Sequence, residues 1–168
     1  LAQRINILKL SGNQRMTIDS RIFAKDIQIT NTSQVAFNGE IDAGLNGILD
    51  LQSVPVSGIK FNQSAKINKI VTNDKATRMT VADGISLFAN VINKNINTMG
   101  ATLVLGNGSS LTAYSGGVVR IIELNLMELI NDATLAGGSY SCTELKSANA
   151  GNVNLGNNFN LVGNINSS

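Results

Sequence analysis

Two amino acids, histidine and tryptophan, do not occur in this chain. Without His, no Ser–His or Cys–His nucleophilic pair can form, and the commonest metal ligand in proteins is missing. Aromatic residues make up only 4% of the chain, so it has few of the stacking surfaces that bind single-stranded nucleic acid. These absences predict that the protein is not an enzyme: we expect no catalytic residue, no metal site and no cofactor.

Motifs with a chemical role are also missing. The sequence contains neither the G-x-S-x-G turn of many hydrolases nor a phosphate-binding G-x-x-x-x-G-K-[ST] loop. Asp42 and Asp50 flank a Gly-rich stretch, but without the Asp-x-Asp-x-Asp-Gly spacing that binds calcium. We interpret these two acids as solvated residues at strand ends.

Charge is sparse and mixed in sign. Charged residues make up 14% of the chain, where about a quarter is typical. The 13 Lys and Arg and the 11 Asp and Glu are scattered without a run of one sign, so the sequence predicts no nucleic-acid partner. The single cysteine, Cys142, cannot form an intramolecular disulfide, and we expect it to be a buried, small apolar residue.

Alternation of apolar and polar residues dominates the first half of the chain. Met16-Thr17-Ile18 and Ile27-Gln28-Ile29 each place their apolar residues on one side, as half-buried strands do. Between two such runs, "QVAFNGEID" contains Asn38-Gly39, the strongest short-range signal for a β-hairpin. Neighbouring strands are therefore expected to be antiparallel.

Asn is the commonest polar residue of the chain. In the tail, "NVNLGNNFNLVGNINSS", it alternates with apolar residues, which predicts a pair of strands with an amide-rich face. Codon usage in an AT-rich genome enriches Asn by itself, and we favour that explanation over a role for stacked amides. No repeat with a period of about 20 residues is apparent.

Two stretches change from a strand period to a helical one. In "DGISLFANVINKNI", apolar residues fall at helical spacing behind Asp83, which can cap a helix N-terminus. In "GGVVRIIELNLMELINDA", the first part favours a strand and "LMELINDA" favours one or two helical turns. The sequence thus predicts a mainly β fold: a largely antiparallel curved sheet with two short α-helices, near residues 84–96 and 125–133. We expect residues 1–168 to form a single β-rich domain, itself a piece of a larger protein.

The order of several segments gives a family resemblance. The segments are "LKLSGNQRMTID", "AKDIQIT", "NGILDLQ", "VADGISLFANVI", "GATLVLGNGSSL", "GGVVRIIELNLMELI" and "CTELKSANAGNVNLGNNFNLVGNI". Their succession resembles the C-terminal region of AsmA-like proteins of the Gram-negative envelope. The resemblance implies a long, curved β-sheet with an apolar inner surface. It also implies a protein of the periplasm or cell envelope that moves phospholipid toward the outer membrane and so contributes to outer-membrane biogenesis.

A lipid-handling envelope domain is therefore the first functional hypothesis, with phospholipid or other envelope proteins as partners. The lipid-facing residues would come from the alternating strands: Ile27, Ile29, Leu49, Leu51, Leu103, Leu105, Val119 and Ile121. The same residues would form a plain core if the apolar face is closed instead. Leu105→Asp separates the two arrangements, because it would spare folding on an open lipid-facing groove and destabilise a closed core.

The second hypothesis belongs to another class of protein. Asn-, Gly- and Thr-rich strands with few charges also resemble the passenger domains of autotransporters, in which a parallel β-helix displays an adhesive face. The alternative function is thus an extracellular structural or adhesive protein at the cell surface, either such a passenger or a subunit of a fibre or pilus. The expected hairpins and helices count against the passenger domain. Amide-rich edge strands such as residues 152–168 would allow self-association.

Overall fold

The chain forms a solenoid of parallel β-strands. A computed structural model describes residues 3–30, 34–51, 58–72, 77–94, 100–148 and 151–167. Within these residues all the regular secondary structure is β-strand, and each strand pairs in parallel with the strand one coil away. The pairings join all of them in one sheet of 17 strands. Each coil takes roughly 20 residues, a length typical of solenoid repeats.

Three ladders of paired strands define three faces of the solenoid. The strands of the first face are β1 (Ile5–Ser11), β3 (Ala24–Thr30), β5 (Ile41–Asp50), β7 (Ala65–Thr72), β10 (Val91–Lys94), β13 (Val119–Leu129), β15 (Gly138–Ser147) and β17 (Phe159–Ser167). The strands of the second face are β2 (Met16–Ile18), β4 (Gln34–Phe37), β6 (Gly58–Phe61), β8 (Arg78–Val81), β11 (Thr102–Leu105) and the C-terminal parts of β13, β15 and β17. The strands of the third face are β9 (Ser86–Phe88), β12 (Ser110–Thr112), β14 (Ala133–Leu135) and β16 (Val153–Leu155), which continue from the N-terminal ends of β5 and β7.

The core consists of apolar side chains stacked from coil to coil. On the first face the inward ladder is Leu8, Ile27, Leu49, Ile70, Ile92, Ile122, Tyr140 and Leu161. On the second face it is Met16, Val35, Ile59, Met79, Leu103, Met127 and Leu145. Burying one such side chain fully stabilises the fold by about 1.5–3 kcal/mol relative to exposing it. The interior of the solenoid is thus a continuous apolar stack.

The expected antiparallel arrangement is wrong. Asn38-Gly39 does not form a hairpin: β4 before it pairs with β2 and β6, both in parallel. Gly39 does not have positive φ. A Cβ at this position would instead collide with the backbone of Ser20 on the neighbouring coil. The Asn-Gly pair therefore suits a tightly stacked corner of the solenoid rather than the turn of a hairpin.

The two expected helices are also wrong. Within residues 84–94 the chain forms β9 and β10, while residues 95 and 96 lie outside the described residues. The second expected helix coincides with the end of β13, a turn and the start of β14.

The corners of the solenoid produced the misleading helical period. Leu124 and Met127 are both buried, three residues apart, because β13 passes from the first face to the second between them. Ala89 and Ile92 have the same spacing across a corner that joins two short strands. A corner shifts the phase of the strand alternation, so apolar residues three or four apart imitate the pattern of an amphipathic helix.

Coils of unequal length hide the repeat. The paired residues Ile70, Ile92 and Ile122 lie at equivalent positions, yet the last interval contains the additional loop 114–118. Because of such insertions, sequence spacing alone does not align the coils.

Leu105→Asp is expected to destabilise the fold strongly. Leu105 is 0% exposed and stacks between Val81 and Leu129 of the adjacent coils. A carboxylate there loses its hydration, a cost of several kcal/mol, so we expect the melting temperature to fall by roughly 10 °C or more. Circular dichroism during heating measures the change.

Thr102→Asp is the matched control for this substitution. Thr102 lies at the start of the same strand, is half-buried and points outward, so its carboxylate stays in water. We expect its melting temperature to stay within a few degrees of the wild type. A Leu105→Asp protein as stable as Thr102→Asp would contradict the closed core.

Candidate functional site

A groove lies on the outer surface of the second face. Its volume is about 350 Å³. The lining residues come from the start of β2 and from β4, β6 and β8: Arg15, Gln34, Val35, Ala36, Gly58, Ile59, Lys60, Arg78 and Thr80. We call it the cationic groove, because three of the described side chains that line it are positively charged and none of them is acidic.

Strand alternation explains how the groove is built. Val35 and Ile59 point into the core, so only their backbone contributes to the surface, while Ala36 and Lys60 point outward on neighbouring coils. Small residues form the floor: Ala36, and Gly58 next to Gln34. A Cβ added at Gly58 would touch only Cγ of Gln34, at 3.7 Å. This glycine is therefore not required by crowding, and its effect is to keep the floor low.

The charges around the groove are unequally neutralised. Arg78 Nη2 donates a hydrogen bond of 2.9 Å to Glu128 Oε2. This ion pair lies outside Val104, which points outward and is nevertheless only 4% exposed. By contrast, Arg15 and Lys60 form no ion pair with any described residue. The positive charge of the groove therefore belongs mainly to Arg15 and Lys60.

A second charged cluster lies at the corner between the third and first faces. Arg4 Nη2 donates to Asp42 Oδ1 at 2.9 Å, and Arg21 lies 3.8 Å from both Asp42 and Glu40. The guanidinium of Arg4 also stacks over the ring of Phe23, 4.3 Å from its centroid. Asp42 is thus an ion-paired residue, not simply a solvated acid, and the cluster holds adjacent coils together.

Asparagine side chains stack at two corners of the solenoid. Asn62 Nδ2 donates to Asn38 Oδ1, and Asn38 Nδ2 donates to Asp19 Oδ1, each at 2.7 Å. At the corner before the first face, Asn90 Nδ2 donates to Asn68 Oδ1 at 2.8 Å. These amides connect successive coils where the backbone leaves the strand ladder. Some of the Asn enrichment thus has a structural use, which the sequence analysis attributed to codon usage alone.

The proposed lipid-facing residues are divided between the core and the surface. Seven of them are at most 1% exposed and belong to the apolar interior: Ile27, Ile29, Leu49, Leu51, Leu103, Leu105 and Val119. Ile121 is 45% exposed and lies opposite Val91 on the outer side of the first face. The eight residues therefore do not share one solvent-accessible surface.

The residues of the cationic groove escaped the sequence analysis because they are far apart in the chain. Arg15, Lys60 and Arg78 come from different coils, and the strand pairings bring them to one surface. An alignment of the coils on their inward apolar residues would have revealed them, since Lys60 precedes the buried Phe61 as Ala36 precedes Phe37. The uneven coil lengths concealed that signal.

Cys142 is buried, as the sequence analysis expected. Its side chain is 5% exposed and forms part of the core. Burial raises the pKa of the thiol, and the nearby carboxylate of Glu144 raises it further. Both effects disfavour the thiolate, which is the nucleophilic form. Among the described residues, no three His, Cys, Asp or Glu side chains are placed to hold a metal ion.

Comparison with known proteins gives no relative. No family model matches the chain, and neither a curated protein nor a solved structure shows significant similarity to it. No helix of the described residues is long and apolar enough to cross a membrane.

Asn90→Ala is expected to lower the free energy of unfolding by about 1–3 kcal/mol. Asn90 is only 8% exposed. The substitution removes the hydrogen bond to Asn68 and leaves the backbone N–H of Tyr114, which donates to Asn90 Oδ1 at 2.9 Å, without that acceptor. Urea unfolding measures the loss. Asn154→Ala, at an exposed position of β16, is the control and should change stability by less than about 0.5 kcal/mol; equal effects of the two substitutions would argue against a structural amide stack.

Alkylation of Cys142 by iodoacetamide is expected to be slow in the folded protein at pH 8. The raised pKa keeps the thiol protonated at a pH where a free cysteine is already partly ionised, and burial blocks the reagent. Because the pKa is raised, increasing the pH should accelerate the reaction only above the range of a free cysteine. The alkylated fraction is followed by mass spectrometry, with the chain in urea as the control. Equal rates in buffer and in urea would show that Cys142 is accessible.

Proposed function

We propose that this chain is a non-enzymatic adhesive domain of a cell-surface or extracellular protein, in which a β-solenoid displays a rigid polar surface. The proposal rests on one observation: most large apolar residues of the parallel coils lie in a continuous interior, and polar residues occupy most of the outward positions. Successive coils add strands to the same faces, with neighbouring strands about 4.8 Å apart. Stacked repeats of this kind provide extended surfaces for binding.

Rigidity supports the same proposal. The coils are joined by parallel backbone hydrogen bonds, by stacked core residues such as Phe37 and Phe61, whose ring centroids lie 5.8 Å apart, and by the amides at the corners. A surface held in this way keeps its outward side chains in fixed relative positions. Binding to such a preorganised surface loses little conformational entropy.

The lipid-handling hypothesis has less support from the described residues. It required an apolar face open to lipid, and most of the residues named for that face lie inside the solenoid at 0–1% exposure. The two features that counted against a passenger-like domain, antiparallel hairpins and helices, do not occur in the described residues. We therefore favour the adhesive function, at the cell surface or outside the cell, over phospholipid transport in the periplasm.

Bead adhesion under flow tests the proposal. Fluorescent beads coated with the folded chain are passed over cultured epithelial cells and over surfaces coated with separate extracellular polysaccharides. We expect several-fold more retained beads than with an albumin coating, and retention should decrease to the albumin level when the chain is heat-denatured before coating. Retention at the albumin level on every surface would contradict the adhesive function.

Native mass spectrometry of the same preparation, with lipid extraction, examines the competing function. We expect a protein without stoichiometric phospholipid, because the apolar interior is filled by side chains. Phospholipid at about one molecule per chain would overturn the adhesive proposal in favour of lipid handling.

A further inference from the structure

The described residues that line the cationic groove include three cations and no acid. At the corner of Arg4 and Asp42, opposite charges lie in contact. In the groove, Arg15 and Lys60 are exposed and without an ion-pairing partner among the described residues, and only Arg78 is paired, with Glu128 outside the groove. Cations concentrated in a cleft raise the local concentration of anionic ligands.

The shape of the groove suits an extended chain molecule. It crosses the strands β4, β6 and β8, so its long direction follows the stacking of the coils. Its floor is low at Ala36 and Gly58, with longer side chains beside it. The amide of Gln34 and the hydroxyl of Thr80 add hydrogen-bonding groups that can contact sugar hydroxyls.

The absence of aromatic residues in the lining distinguishes between polyanions. Proteins that bind single-stranded nucleic acid usually stack bases on aromatic side chains, and no aromatic side chain is among the described residues that line this groove. An acidic polysaccharide needs no such stacking, because its carboxylate or sulfate groups pair with Arg and Lys while its hydroxyls form hydrogen bonds. The chemistry of the groove therefore favours a polysaccharide.

We propose that the cationic groove binds the carboxylate or sulfate groups of an acidic polysaccharide, with Arg15 and Lys60 as the main contacts and Gln34 and Thr80 as hydrogen-bonding partners for its hydroxyls. The inference rests on the proposed adhesive function and gives it a ligand class. It goes further in locating binding on one face and one end of the solenoid.

Glu128 limits the affinity of this groove. Its carboxylate holds the guanidinium of Arg78 at 2.9 Å, so an anionic ligand must compete with it for Arg78. Removing the charge of Glu128 releases Arg78 for the ligand and also reduces repulsion of an approaching anion. A substitution outside the lining is thus expected to strengthen binding.

Fluorescence anisotropy with a labelled heparin-derived oligosaccharide tests these contacts, at low and at physiological ionic strength. We expect Lys60→Met and Arg15→Met each to raise Kd by about 3–10-fold, and Glu128→Gln to lower it by about 2–5-fold. Lys146→Met is the matched control, because Lys146 lies on the same outer ladder of the second face, beyond Glu128. Its substitution lowers the net charge by one, as Lys60→Met and Arg15→Met do. Its Kd should stay within about twofold of the wild type. Melting temperatures confirm that all four variants fold.

Three outcomes would overturn the groove assignment. The first is no binding of the oligosaccharide at low ionic strength. The second is an equal loss in Lys60→Met and Lys146→Met, which would indicate unspecific attraction to the net charge. The third is equally tight binding of single-stranded DNA of the same charge, which would indicate a general polyanion site. If none of these outcomes occurs, comparing the Kd of hyaluronan oligosaccharides, which have carboxylates and no sulfates, with that of the heparin oligosaccharide identifies which acidic group the groove prefers.

The groove and the adhesive function fail in different ways. If beads coated with Lys60→Met or Arg15→Met chain are retained like wild-type beads on every surface, the groove assignment is wrong and the adhesive function stands. If wild-type beads are not retained on any surface, including one coated with heparin, the adhesive function is wrong and this inference falls with it.

Discussion

The parallel pairing of each coil with the next is the constraint on which the whole structure depends. A single coil exposes its inward apolar residues and most of its backbone groups, so it has no core of its own. Stacking covers both at once: the strand ladders join the backbone groups, and side chains such as Ile27, Leu49 and Ile70 cover one another. Stability in such an arrangement is approximately a sum over neighbouring coils.

The corners decide whether this stacking can continue. Strand ladders end there, and the backbone turns through conformations that leave donors and acceptors unpaired unless another group reaches them. Asn68 and Asn90 provide one answer, since their amides bind to each other and to the backbone of Tyr114. Gly39 provides another, because only a residue without Cβ fits against the backbone of Ser20. The high Asn and Gly content thus has a mechanical explanation at these positions.

The same stacking creates the surface of the cationic groove. Outward residues of neighbouring coils lie about 4.8 Å apart whatever their distance in the chain. Arg15, Lys60 and Arg78 meet in this way around the low floor of the groove, while Glu128 reaches Arg78 from a later coil. The residues of such a surface come from different coils, so along the chain they appear only as isolated charged residues.

Several features were predictable from the sequence. Alternation identified the strand character and the inward side of β2 and β3, because a strand buried on one side must be apolar at every second position whatever its partner. Burial of Cys142 also followed from its residue type.

Only the tertiary structure decided the direction of pairing, the place of the corners and the position of the groove. An alternating strand pairs equally well in either direction, and Asn-Gly serves a hairpin or a solenoid corner equally well. The three-residue step from Leu124 to Met127 has the spacing of a helix until the bend between two faces is known. The local sequence decides which side of a strand is buried, because this depends on the strand itself. Which strands become its neighbours depends on contacts between residues roughly one coil apart in the chain, and the coils differ in length.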